Sequence, residues 1–269
     1  MRAIFFILFF LFCSFLKAQN TQPDTYFSKG DYTFFTKDVL DNMYVLTVTD
    51  QLKKMSSKGD SLAVFNNVKN YGKLSTIDVS NPLNIVVFYK GQNKVVFLDQ
   101  FLHVKNTLIL SKLGVLSASA VCLAFDGNIW VYDDFENKIL RVSAEGKIMS
   151  ATTNFREIFN ALPTINWMQE NNGLLYAYDS TQGVFAFDFY GSFKTLIPIK
   201  NWKFISVLKN KIMGWGQKHI QEYDMNAKTI QSGKMTFDAS TIRQVVAAEK
   251  FIWILDDKGL RKISNKDNK

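Results

Sequence analysis

The sequence predicts an all-β fold: a single six-bladed β-propeller of four-stranded blades, closed by an N-terminal strand added to the last blade. Three observations carry this expectation. A segment of about forty residues recurs along the chain, each copy divides into short runs rich in Val, Ile, Phe, Tyr and Trp, and Gly, Asn and Asp punctuate the runs. Four short strands per unit of that length is the pattern of a sheet standing radially around a central channel. Helical solenoids share the period, but short β-branched and aromatic runs bounded by turn residues favour strands.

Residues 1–18 precede the repeats. Met1-Arg2 supplies a positive start, Ala3 to Leu16 carries no charge, and Lys17-Ala18 ends the run. A secretory hydrophobic segment needs roughly 7 to 15 residues and a membrane-spanning helix about 20, so a signal peptide cut after Ala18 is expected, with an uncleaved anchor as the alternative. Phe12 is too bulky for the residue before a lipid-attached Cys13. That leaves 19–269 as the propeller domain of an exported protein, in the periplasm or on the periplasmic face of the outer membrane, with secretion as the alternative. No asparagine lies in an Asn-X-Ser/Thr sequon, which fits a bacterial envelope.

The next segment holds Tyr26-Phe27 and Tyr32-Thr33-Phe34-Phe35, one apolar piece more than a first blade requires. The last repeat stops after its third strand. Residues near 21–33 are therefore expected to complete that blade's sheet and cover the edge left open at closure.

Six copies follow. Counted from the first apolar residue of the strand common to all, they begin at 43, 85, 129, 175, 212 and 252. The clearest runs Gly127-Asn128-Ile129-Trp130-Val131-Tyr132-Asp133, then Asn137-Lys138-Ile139-Leu140-Arg141-Val142, then Glu145-Gly146-Lys147-Ile148. Gly173 to Phe193 and Phe251 to Ile263 repeat its strand–Asp–turn–strand order. A further apolar run precedes the common strand in most units: Leu74 to Val79, Ala120 to Phe125, Ile165 to Met168, Phe204 to Leu208 and Val245 to Ala248. It supplies the inner strand. The longest insertion is Met149 to Thr164, with a helical stretch at Asn154 to Phe159.

These copies resemble the NHL-type propeller repeat, whose blade runs Gly-x-Ile/Leu-Tyr/Trp-Val-x-Asp, a few residues, Asn-x-Ile, then a Gly turn. Gly127 to Ile148 matches nearly throughout, the copies at 173 and 251 match the first half, and those at 43, 85 and 212 lack the Asp. The resemblance implies the propeller fold and leaves function open.

Composition narrows the function classes. The formal charge of +8 becomes +6 once Arg2 and Lys17 leave with the signal, 30 basic against 24 acidic residues, and no run of like charges appears. A nucleic-acid footprint is not supported. Cys13 leaves too, so Cys122 stands alone in an apolar stretch and reads as a small buried hydrophobe.

Catalytic motifs are sparse. The two histidines, His103 and His219, lie in different repeats, and no HExxH, CxxC, GxSxG or EF-hand pattern is present. Asp133, Asp179 and Asp256 recur at equivalent positions. Recurrence favours a turn-capping role, a carboxylate accepting from turn N–H groups, over a Ca2+ ring, which is kept as a minor alternative. Residues that break the repeat are better binding candidates: Asn166 with Trp167, Trp202 with Lys203, and Arg243 near the starts of inner strands, and Arg156 in the insertion. Aromatic groups beside cations could hold a glycan, a peptide or an acidic surface.

The expectation is a non-catalytic binding or scaffold propeller of the bacterial envelope, without a cofactor, engaging a protein or glycan through its channel face. It would act as a monomer or as one subunit of a hetero-complex, with only indirect membrane association. The alternative is a metal-dependent propeller hydrolase or lactonase. Such an enzyme needs acidic groups converging at mid-channel, whereas Asp78, Asp126, Glu170 and Glu249 fall toward the far ends of the inner runs.

Overall fold

The computed structural model describes residues 26–66, 68–216, 219–234, 241–249 and 251–264. The expected signal peptide and residues 21–25 of the expected closing segment lie outside them. Six four-stranded antiparallel sheets form the six blades. The strands of each are lettered A to D from the channel outward.

Strand β1 (Tyr26–Lys29) comes first and belongs to the last blade. Blade 1 is β2 (Tyr32–Lys37), β3 (Met43–Thr47), β4 (Leu52–Met55) and β5 (Ser61–Phe65), and blade 2 is β6 (Thr76–Asp78), β7 (Ile85–Tyr89), β8 (Lys94–Leu98) and β9 (Val104–Ile109). Blade 3 is β10 (Ala118–Leu123), β11 (Ile129–Asp133), β12 (Lys138–Val142) and β13 (Ile148–Ala151). Blade 4 is β14 (Trp167–Asn171), β15 (Leu174–Asp179), β16 (Gly183–Asp188) and β17 (Phe193–Ile197). Blade 5 is β18 (Phe204–Val207), β19 (Lys211–Trp215), β20 (His219–Asp224) and β21 (Thr229–Lys234). Blade 6 is β22 (Gln244–Ala247), β23 (Phe251–Leu255) and β24 (Gly259–Ser264), completed by β1 in the order β22-β23-β24-β1.

The sequence expectation of six blades and an N-terminal closing strand is met. The closing strand is shorter than 21–33 implied at its C-terminal end: Gly30 and Asp31 turn the chain, and Tyr32 already pairs with Thr47 in blade 1. The insertion is likewise shorter at its start, because Met149 sits in β13, whose Arg141↔Ser150 pairing completes blade 3. Its helical stretch is the single turn α2 (Phe155–Ile158), capped by Asn154 accepting from the Arg156 N–H. The one-turn helix α1 (Val68–Tyr71) between blades 1 and 2 had no counterpart in the sequence reading.

Why the B strands read as unbroken apolar runs is clear from where their side chains go. Successive residues of a strand point to opposite faces of the sheet, and each blade is buried on both faces by its neighbours. Ile129 and Val131 pack into the core shared with blade 2, while Trp130 and Tyr132 pack into the core shared with blade 4. The same division recurs around the ring: Leu175 and Ala177 against Tyr176 and Tyr178, Ile212 against Met213 and Trp215, Ile252 and Ile254 against Trp253 and Leu255. Six apolar cores result, one at each blade interface, and the sixth joins blade 6 to blade 1 through Phe35, Met43 and Trp253.

Candidate functional site

The inner strands have one edge in a sheet and one facing the channel, so their channel-side backbone groups need partners. Side chains of adjoining blades provide several. Asp78 accepts from the Leu123 N–H at 2.8 Å, Glu170 from the Phe125 N–H at 3.2 Å, and the Ser206 hydroxyl oxygen from the Ala247 N–H at 3.0 Å. Gln244 bonds both backbone groups of Phe35 at 2.9 Å, and the amide nitrogens of Asn171 and Asn172 donate to the carbonyls of Leu208 and Lys209. The acidic groups near the channel are thus built into the ring. Glu170 also accepts from the Trp130 indole at 2.6 Å. Burial, with Asp78 and Glu170 close by, pushes the Cys122 thiol well above its ordinary range, and the residue is an apolar filler.

The recurring aspartates close B–C turns. Asp133 accepts from the N–H groups of Phe135 and Glu136, Asp179 from those of Thr181 and Gln182, and Asp256 from those of Lys258 and Gly259. Among the described residues no group of three His, Cys, Asp or Glu is placed to hold a metal ion. Their surroundings still differ. Burial holds the Asp133 carboxyl above the usual range, and its second oxygen has no hydrogen-bond partner. At Asp179 burial acts in the same direction, but hydrogen bonds from Thr181, Thr164 and Gln182 outweigh it and keep the carboxyl below that range.

The residues singled out from the sequence lie on the face formed by D–A connections and B–C turns. Trp202 does not line the channel mouth; it is 5% exposed, packed in the core between blades 4 and 5, with its indole donating to Gln221 at 2.7 Å. It rests on Gly214, where any Cβ would fall inside the indole ring. Trp167 is half-buried against the same core, and Asn166 is exposed beside it. Lys203 donates to the Ile242 carbonyl at 3.1 Å and lies over the Phe204 ring. Arg243 pairs with Asp31 at 2.6 Å and donates to the Tyr32 carbonyl at 2.8 Å. Asn166, Trp167, Trp202, Lys203 and Arg243 therefore follow the seams between blades 4 and 5, 5 and 6, and 6 and 1. Arg156 is exposed on α2, apart from the others. The histidines are apart too: His103 pairs with Asp99 in a C–D turn of blade 2, and His219 opens a C strand in blade 5.

The opposite mouth, formed by A–B turns, holds a cavity of about 590 Å³ between blades 2, 3 and 4, lined by Ser80, Asn81, Leu123, Ala124, Phe125 and residues 170–173. Phe125 is 71% exposed and its ring centroid is 5.0 Å from that of Phe189, which is 5.4 Å from Tyr190, itself 77% exposed. Beneath this shelf the Arg141 guanidinium lies 3.7 Å from the Phe189 ring centroid and pairs with Asp126. Large exposed aromatic surface beside a cleft is the informative departure from an ordinary surface. Sequence reasoning passed over it because Phe125 reads as the end of an inner apolar run and Phe189-Tyr190 as a turn. An aromatic residue at the tip of each turn was the signal that could have found it.

No family model matches the chain, and no curated protein matches it in sequence. Solved structures do match in fold. Streptogramin B lyase shares 16% identity at a TM-score of 0.59, over 85% of this chain and 77% of that one. The WD40 domain of Neurospora crassa Pan2 shares 9% at 0.61, over 88% and 76%, and BamB from Moraxella catarrhalis shares 13% at 0.50, over 88% and 72%. Identities this low, to proteins as different as these, show the propeller fold alone. The propeller expectation drawn from the repeats is thereby supported, and the NHL resemblance goes no further than the motif.

Proposed function

We propose that the chain is a non-catalytic binding propeller of the bacterial envelope that engages its ligand at the A–B mouth of its channel. One observation carries the reading. Glu170, the carboxylate lining the cleft, and Asp78 and Asp126 of the neighbouring A–B turns are committed to backbone, indole, amide and guanidinium donors, while Phe125 and Tyr190 stand exposed beside it. A hydrolytic site needs carboxylates free to bind a metal or move a proton; a binding site needs accessible apolar surface and a few polar groups. Export rests on residues 1–18, and no helix among the described residues is long and apolar enough to cross a membrane.

The test is a photo-crosslinking residue in place of Phe125, with one at Phe135, exposed on the opposite face, as the control. Adducts formed in the native cell at 125 and not at 135 support the reading; adducts at 135 alone move the binding face. Metal analysis of the same purified protein serves the alternative. A stoichiometric bound ion would replace the binding reading by the metal-dependent hydrolase.

A further inference from the structure

Within that binding reading, we infer that the A–B cleft is a site for a neutral saccharide chain. The cleft offers neutral polar groups from blades 2 and 4. On blade 2, Asn81 commits its side-chain oxygen to the Leu83 N–H, which leaves its amide nitrogen as a donor, and the Ser80 hydroxyl lies alongside. On blade 4, Asn171 and Asn172 each donate one amide N–H to the carbonyls of Leu208 and Lys209, which leaves their side-chain oxygens as acceptors and a second N–H apiece. Blade 3, between them, contributes Phe125, whose exposed ring meets Phe189 and, through it, Tyr190 on the C–D turn of blade 4 beside the cleft.

Uncharged donors and acceptors on both sides and aromatic surface between them match a pyranose ring, which has uncharged hydroxyls around its rim and an apolar C–H face. The charges present are already used. Glu170 is engaged through both oxygens, and Arg141 is paired with Asp126 under the shelf. An ionic ligand therefore finds no unpaired counter-charge among the lining residues, and neutral amides and a hydroxyl are what remain to recognise it. The cavity, about 590 Å³, lies within the range of small-ligand sites and suits a few sugar units.

Titration calorimetry of the purified propeller against cellotetraose, chitotetraose, maltotetraose and mannotetraose, with tetragalacturonate as the acidic comparison, tests the assignment. At least one neutral tetrasaccharide is expected to bind. Phe125→Ala and Tyr190→Ala should each weaken that binding at least ~10-fold, the scale of one lost aromatic contact, whereas Phe135→Ala should leave it unchanged. Both rings of the test pair are exposed, so an unaltered melting temperature separates lost contact from lost folding. Failure of every neutral tetrasaccharide to bind, tighter binding of tetragalacturonate, or binding indifferent to both substitutions would overturn the inference. If crosslinking at 125 yields a protein adduct while no tetrasaccharide binds, the binding reading stands and the saccharide assignment falls. If neither occurs, both fall.

Discussion

Asp133 and Asp179 occupy the same place in successive blades and meet opposite electrostatic surroundings, which makes their pH dependence opposite. The Asp179 carboxyl is held below its ordinary value of 3.8, so its contribution to stability is present above that pH and fades as pH falls through the lower folded value. Asp179→Asn removes an acceptor and leaves a turn or Thr164 N–H without a partner. It should cost about 1–3 kcal/mol near neutrality and less near pH 3, as read by denaturant midpoints at the two pH values. Asp133 is raised above 3.8 by burial, so its contribution is greatest below that pH and declines as pH rises through the folded value. Asp133→Asn keeps the oxygen that accepts from Phe135 and Glu136, and is expected to leave neutral-pH stability equal or higher. A loss at pH 7 as large as that of Asp179→Asn would contradict this account. Gly214 makes a sharper demand: Gly214→Ala drives a methyl group into the Trp202 ring and should destabilise by about 1–3 kcal/mol, the usual cost of overpacking a core.

The closing strand β1 is the element whose role is most open to direct test. It pairs with β24 through Tyr26↔Arg261, Ser28↔Leu260 and Lys29↔Gly259, and Phe27 packs edge-on against Trp253 with ring centroids 5.3 Å apart. Tyr26 also donates to Asp256 at 3.0 Å. Deleting residues 19–29 opens the β24 edge and uncovers Trp253. A fall in melting temperature of about 10 °C is expected, since each kcal/mol lost moves a domain of this size by roughly 2–4 °C; an unchanged value would refute the clasp. Gly259 offers a gentler version. It adopts a φ of 137°, and any Cβ there would strike the Ser28 carbonyl, so Gly259→Ala should weaken the clasp without removing it. Gly183 opens the C strand of blade 4 in the same relation to the Ile197 carbonyl.

At the scale of the whole molecule, stability comes from six blade interfaces in a ring, each an apolar core supplemented by polar ties along the channel. The ties described run between protein groups, and among the described residues no group of three His, Cys, Asp or Glu is placed to hold a metal ion, so EDTA is expected to leave the melting temperature unchanged; a drop would point to a structural cation and toward the hydrolase alternative. Much of the fold was legible in the sequence. The B strands begin at 43, 85, 129, 174, 211 and 251, within one residue of the repeat positions, because a strand buried on both faces must be apolar at every position and so stands out as a run. The outermost strands were harder to read: β5 and β21 have one face toward solvent, and sequences such as Thr229–Lys234 carry little apolar signal. Trp202, Lys203 and Arg243 break the repeat because they tie particular seams together, and a sequence does not distinguish a residue unique to a seam from one unique to a ligand. The sequence by itself determined the blade number, the strand order and the closing strand, because these follow from local periodicity and the count of apolar runs. Only the tertiary structure decided which mouth of the channel carries the aromatic cleft. Phe125, Phe189 and the residues of 170–173 lie far apart in the chain, and they meet only because antiparallel strands return successive turns to the same face of a closed ring.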